Sequence, residues 1–250
     1  MEKMSSMKLH VSKDLEELSE IVADWIVSYA QEVLAKHNRF TIALSGGSTP
    51  KKLYGQLASE KYRSKINWKL VHVFWGDERA VPFTDKSNNA KMAFDELLSQ
   101  VPVPKDQIHI MQTDIDPVEA AADYQQLLHN YFDKQLYTFD LVLLGLGDNS
   151  HTLSLFPGYD DIVFDRENWV RSFYLKEQDM YRITLTSAIV NTAGRVAFLV
   201  AGKDKAEALR QVTSGKYDPA NHPAQMIKPL NGELYWFTDK AAAPDLHQVI

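Results

Sequence analysis

The strongest constraint on this chain is a repeated alternation. Short, almost uninterrupted apolar runs are each followed by a longer segment with helical spacing. FTIAL (40–44), LVHVFW (70–75), FDLVLL (139–144) and RVAFLVAG (195–202) are the clearest runs. A strand that is apolar on both sides belongs inside a parallel sheet, where both faces are covered. Between the runs, Ser12 to about Lys36 places Leu15, Leu18, Ile21, Val22, Trp25, Ile26 and Tyr29 on one helical face, with Ser12 as the expected N-cap. Further helices are expected from Thr49, as its own N-cap with Pro50 at the first position, and over 87–98, 117–132 and 203–212. IHIM (108–111) and LYWF (234–237) read as short strands, and WVRSFYL (169–175) and YRITLT (181–186) as extended segments. The expected class is therefore α/β, a mostly parallel sheet with helices on both faces.

Composition narrows the function. The 250 residues are 45% hydrophobic and 24% charged, enough for a sizeable core in one large domain or two small ones. The net charge of −6 and the lack of any Lys/Arg block argue against nucleic acid as a partner. With no cysteine, thiolate catalysis, disulfides and Cys-ligated metals are excluded. MEKMSSMKLH has no signal-like apolar core, and LVLLGLG and VAFLVAG are too short to span a bilayer, so a cytoplasmic protein without membrane partners is expected. The sequence leaves the oligomeric state open.

In a parallel sheet, ligands bind beyond the carboxyl ends of strands. SGGSTP follows the first apolar run: Ser45, Gly46, Gly47, Ser48 and Thr49 lead into a helix N-terminus. An ordinary capped turn would look similar, but two glycines and three hydroxyls exceed what capping needs and favour a phosphate cradle. It is not a Walker loop, because the lysine and the glycine spacing are absent. WGDERAVP puts Asp77, Glu78 and Arg79 at the next strand end, where a solvated turn is the plainer reading, and SNNA (87–90) adds a helix cap with amides able to bind hydroxyls. GLGDNSHTLSLFPG (145–158) lacks the third glycine of a dinucleotide loop, since Ser150 stands there. His151 in this polar setting is either a loop histidine or a proton carrier, and its neighbours alone leave both open. Arg182 opens RITLT, and Lys203 and Lys205 stand at a helix start, where a cation is unfavourable unless it reaches an anion.

Together LSGGSTPKKLY, FWGDERAVP, SNNA, DLVLLGLG, HTLSLFPG, YRITLT, AGKDKAEAL and GELYWFTDKAA resemble, in order and over nearly the whole chain, the 6-phosphogluconolactonase family. The resemblance implies a single Rossmann-like three-layer α/β sandwich over 1–250, shared with glucosamine-6-phosphate deaminases. It implies hydrolysis of 6-phosphoglucono-δ-lactone in the oxidative pentose phosphate pathway, without metal or cofactor. It gives His151 as general base, phosphate on Ser45–Thr49 with Arg182 and Lys205, Arg79 toward the carbonyl or a hydroxyl, and Asp77 toward sugar hydroxyls or His151. The family usually reads Asp-Gly-His, whereas this chain reads Asn149–Ser150–His151. Asn149 is grouped with the substrate-binding residues, and Asp148 is the candidate to orient the histidine. Deaminases of this fold also use a glutamate where Phe156 stands. The alternatives are thus a sugar-phosphate-binding protein without turnover and, less favoured, an amino-sugar-phosphate deaminase.

Overall fold

The structure, a computed structural model, describes residues 7–133 and 135–244. In chain order its elements are β1 (Lys8–Ser12), α1 (Leu15–Leu34), β2 (Phe40–Leu44), α2 (Ser48–Ala58), β3 (Val71–Trp75), β4 (Asp77–Arg79), α3 (Asn89–Ala93) and α4 (Pro117–Phe132). There follow β5 (Leu141–Leu144), α5 (Asp160–Val163), β6 (Val170–Leu175), β7 (Met180–Leu185), α6 (Ser187–Val190), β8 (Arg195–Val200), α7 (Ala206–Ser214) and β9 (Glu233–Asp239). Six strands form one sheet in the order β1–β9–β8–β5–β2–β3, and every neighbouring pair is parallel. Among these strands antiparallel pairing is confined to a small sheet, β4–β7–β6.

The alternation of side chains across the sheet makes three layers. Leu141 and Leu143 pack into a core with α1, α2 and α3, which also holds Leu18, Ile26, Leu53 and Ala93. Val142 and Leu144 point the other way, into a core with Tyr124, Leu128, Ile189 and Leu209. This is the α/β sandwich expected from the apolar runs. The chain passes from β2 to β3 on one side and returns to β5 on the other side of β2. The carboxyl ends of β2 and β5 therefore flank a topological switch point, where the loops diverge and leave a crevice. At Gly76 the chain leaves the large sheet: its N–H bonds Leu44 O (2.9 Å), and its carbonyl accepts from Leu185 N (2.8 Å) in the small sheet.

Several sequence expectations need correction. Ser12 is not a helix cap. It ends β1, paired with Asp239, and the cap is Asp14, whose carboxylate accepts Glu17 N–H at 2.9 Å. Strand β1 escaped notice because its five residues run almost directly into the strong helical pattern of α1. Ile21, assigned to the apolar face of α1, is 37% exposed. Helix α2 starts at Ser48 with Gly47 in the cap position, so Thr49 and Pro50 lie inside its first turn. IHIM forms no strand and contributes only an isolated bridge, Val73 to Ile108. The helix expected from Lys203 begins as a 3-10 turn over 203–205, and α7 follows. β4 was read as a turn because its three residues DER carry no apolar alternation.

The corrected cap has a measurable weight. Replacing an N-cap carboxylate by alanine typically costs about 1 kcal/mol, so Asp14→Ala is expected to lower the unfolding free energy by about that amount in urea titration.

Candidate active site

The crevice at the switch point is a cavity of about 200 Å³. Its wall includes Ser45, Gly46, Gly47, Ser48 and Thr49 from the β2–α2 loop, Asp77 and Arg79 from β4, and Arg182 from β7. His151 from the β5 loop and Lys205 from the turn after β8 complete the convergence, and Asn89 from α3 joins them. Of the sequence-derived candidates, Asp148 and Asn149 do not line it, nor do Glu78 and Lys203 from the strand-end clusters.

The β2–α2 loop is pegged from behind. Tyr54, fully buried in α2, accepts Ser45 N–H (3.0 Å) and donates to Ser45 O (2.7 Å) through the same hydroxyl. Because Gly47 has no side chain to cap with, no side chain claims the first N–H groups of α2. Those groups and the positive end of the helix face the cavity, an arrangement suited to an anion. Gly46 is required by a close approach: a Cβ there would sit 1.9 Å from Asn89 Oδ1. Lys205 also lines the cavity, its ammonium 3.1 Å from the Asp204 carboxylate.

Two arginines lie side by side because the β4–β7 register sets Arg79 against Arg182. Their electrostatic situations differ. Arg182 is 3% exposed, and its Nη2 donates to Asp77 Oδ2 at 2.7 Å while Nη1 donates to Gln178 Oε1 at 3.0 Å. Asp77 also accepts from Ser154 Oγ at 2.7 Å. Burial alone would push the Asp77 carboxyl up, but the charges of Arg182 and Arg79 and these hydrogen bonds outweigh it and hold it below the ordinary carboxylate range. Arg79 instead donates to neutral acceptors, Ser87 O (3.0 Å) and Asn89 Oδ1 (2.5 Å). Arg182 is thus neutralised by a buried partner, whereas Arg79 carries its charge to the cavity wall. Between them in sequence, Glu78 is 1% exposed and points away from the cavity, and burial pushes its carboxyl up to about 7.

His151 is held on three sides. Asn149 Oδ1 lies 2.5 Å from Nδ1 and also accepts the His151 backbone N–H at 3.2 Å. The ring stacks on Phe156, centroids 4.1 Å apart at 20°. Its edge presses on Gly147, where a Cβ would lie 2.0 Å from Nδ1. Asn149, and not Asp148, therefore makes the contact that fixes the ring; Asp148 is exposed and acts on it as a nearby charge. Burial is the largest influence on the imidazole and, with Arg182 and Lys205, pushes it down to about 4 against the opposing pull of Asp77 and Asp148. At neutral pH the ring is uncharged. With Nδ1–H donating to the amide oxygen, Nε2 keeps a free lone pair.

The turn before the histidine explains a glycine preference. Ser150 has φ +65°, a left-handed conformation, and its Oγ lies 3.0 Å from His222 Nδ1 while its carbonyl accepts Ala224 N–H (3.0 Å). Sequence reasoning gave no sign of Tyr54 or Ser154; it placed Glu78 in the strand-end cluster and Asn89 among cap amides able to bind hydroxyls, and read Phe156 only as the absence of a glutamate, without the contacts these residues make. Ser154 meets Asp77 from far along the chain, and the nearer contacts depend on how the loops turn back on themselves, which no periodicity shows. Among the described residues no group of three or more His, Asp or Glu side chains is gathered to hold a metal ion, and no helix is long and apolar enough to cross a membrane.

This geometry has close counterparts. The family model for glucosamine-6-phosphate isomerases/6-phosphogluconolactonase matches residues 13–236. A 6-phosphogluconolactonase of Nostoc sp. is 40% identical over 228 residues, 89% of this chain and 91% of that protein. One from Synechocystis sp. is 40% identical over 220 residues, 86% and 88% of the two chains. The solved 6-phosphogluconolactonase from Trypanosoma cruzi superposes with a TM-score of 0.84 at 26% identity, covering 98% of each chain. A monomeric glucosamine-6-phosphate deaminase, 22% identical, gives a TM-score of 0.81 over 95% of this chain and 99% of its own, which shows the common fold. From the strand-end loops to the last strand of the sheet, the chain belongs to the glucosamine-6-phosphate isomerase/6-phosphogluconolactonase family.

Proposed function

We propose that the protein hydrolyses 6-phosphoglucono-δ-lactone to 6-phosphogluconate. The observation that carries this is the neutral His151, its Nδ1 fixed by Asn149, facing a cavity whose opposite wall is an uncapped helix N-terminus flanked by Arg79 and Lys205. A δ-lactone carries its own activated carbonyl, so catalysis needs a positioned water, a base and charge stabilisation. Nε2 of His151 takes a proton from water as its oxygen adds to C1. The tetrahedral oxyanion then collapses, the bond to the ring oxygen breaks, and the imidazolium returns the proton to that oxygen. The amide of Asn149 keeps the productive tautomer throughout.

The arginine geometry divides the roles. A phosphate dianion gains most from a cation that no carboxylate already neutralises. Arg79, which touches Asn89 beside the Gly46 loop, meets that condition; Lys205 comes close to it, since its partner Asp204 is solvent-exposed and the pair is weakened by water, and the two join residues 45–49 as the phosphate end. The Arg182–Asp77 pair lies toward the histidine, with the guanidinium 5.8 Å from the Phe156 ring on which His151 stacks. It shapes the reacting end without adding net charge. Deamination of an amino sugar is disfavoured, because Asn149 and Phe156 stand where that chemistry uses carboxylates.

General-base catalysis contributes ~10²–10⁴-fold, so His151→Ala is expected to lower kcat by about that factor over the spontaneous hydrolysis rate, with phosphate binding retained. A fully active variant would overturn the mechanism. Only the neutral imidazole accepts a proton, so kcat/KM of the free enzyme should hold through the ordinary histidine range and fall only as pH approaches about 4. Asn149→Asp places a negative charge on Nδ1–H, raises the imidazole's affinity for a proton, and should move this acid limb to higher pH. A limb already at the ordinary histidine value in the unaltered protein would contradict the buried, neutral ring.

Arg79→Ala and Lys205→Ala each remove a charged hydrogen bond of about 1.5–3 kcal/mol. Each should cost roughly tenfold or more in kcat/KM for the phosphorylated lactone and far less for glucono-δ-lactone. Arg182→Ala leaves Asp77 buried without its counter-ion, at a cost of about 3–5 kcal/mol, and should lower stability and impair both substrates alike. Steady-state kinetics on the two lactones beside urea unfolding separate the two patterns.

A further inference from the structure

Glu78 stands between two cavity residues yet does not line the cavity itself. Its carboxylate gathers three backbone N–H groups. One oxygen accepts from Arg79 N at 2.9 Å and Asn89 N at 2.7 Å, and the other accepts from Ala90 N at 2.8 Å. The first donor belongs to β4 and the other two to the first turn of α3, so a single side chain fastens the strand that carries Arg79 to the helix that carries Asn89. The circuit closes on the cavity side, where Asn89 accepts Arg79 Nη1 through Oδ1 (2.5 Å) and donates to Asp77 O through Nδ2 (2.9 Å). Asn89 in turn lies flat against Gly46, close enough that a Cβ there would overlap its amide.

Capping alone does not account for this arrangement. Helix α3 already has an ordinary cap, Asn88, whose side chain accepts Lys91 N–H at 2.8 Å. A carboxylate that is 1% exposed and next in sequence to the Asp77 carboxylate is costly to bury. A helix start needing only its N–H groups satisfied can use a short side chain or water at the surface. What the buried carboxylate adds is a fixed distance between β4 and α3, and with it the placement of one guanidinium and one amide against the anion loop.

We propose that Glu78 is a positioning residue for anion binding: it sets the Arg79 guanidinium and the Asn89 amide against the Gly46 loop and acts on substrate only through them. In Glu78→Gln the amide nitrogen cannot accept, so one of the three N–H donors faces another donor and the start of α3 is displaced from β4. The inhibition constant of inorganic phosphate and the KM for the phosphorylated lactone should rise together by about tenfold, with kcat within about threefold. In an Asn89→Ala background the same change should add little, because the relay is already cut. A Glu78→Gln protein of lowered melting temperature but unchanged phosphate inhibition would overturn the proposal. The unaltered protein supplies a measurement free of folding effects: amide exchange at Asn89 and Ala90 should slow when phosphate saturates the cavity, and unchanged exchange there would count against the link. The inference rests on the phosphate-binding reading above. Phosphate failing to inhibit the unaltered enzyme would overturn that reading, whereas equal inhibition of the two proteins overturns the role of Glu78 alone.

Discussion

The site depends on the buried ion pair between Asp77 and Arg182. Two charges withdrawn from water are tolerated only when almost every lone pair and proton finds a partner. Asp77 meets this by drawing on three separate parts of the chain: Arg182 from β7, Ser154 from the histidine loop, and Asn89 from α3, which binds its backbone carbonyl. The pair therefore locks the small antiparallel sheet onto the crevice of the large one and draws the His151 segment toward it. Because Asp77 claims the charge of Arg182, Arg79 on the adjacent strand is left with neutral acceptors and a free charge. One buried contact thus ties the small sheet to the cavity and distinguishes the two arginines, Arg182 being ion-paired while Arg79 bonds neutral acceptors.

The histidine is tuned by exclusion. Phe156 covers one face and Gly147 admits the edge of the ring, so water is kept away and the neutral form is favoured. An amide partner suits that environment. A carboxylate on Nδ1 would stabilise the imidazolium, whereas Asn149 orients the ring without adding charge. Asn149 thus holds the ring through a neutral contact where the resemblance implies an aspartate.

Much of this was legible in the sequence where the signal is local. The apolar runs of β2, β3, β5 and β8 announced a parallel sheet, and the strand-end rule then pointed to 45–49, 77–79 and 145–151 before any coordinates. The double glycine and the polar setting of His151 are likewise local. What could not be read depends on pairing across the chain. β4 is three polar residues whose strand character comes only from β7. Tyr54 shows no sign in its own neighbourhood that its hydroxyl holds Ser45. The choice between Asp148 and Asn149 turned on backbone direction: the left-handed Ser150 folds the turn so that Asn149, two residues before the histidine, meets the ring.

The edge of the large sheet carries a consequence for synthesis. Among the described residues, the strand neighbour of β1 is β9, with Lys8 opposite Tyr235 and Ser12 opposite Asp239. During translation, at about 5–20 residues per second, β1 must wait for β9 before it can take its place in the sheet. Through that interval the apolar edge of β8 is also open, because β9 is its partner too. Closing the long loop from β1 to β9 gains nothing until both strands exist. The large sheet therefore completes only once β9 has been made, and truncation within β9 would expose the edges of β1 and β8 at once.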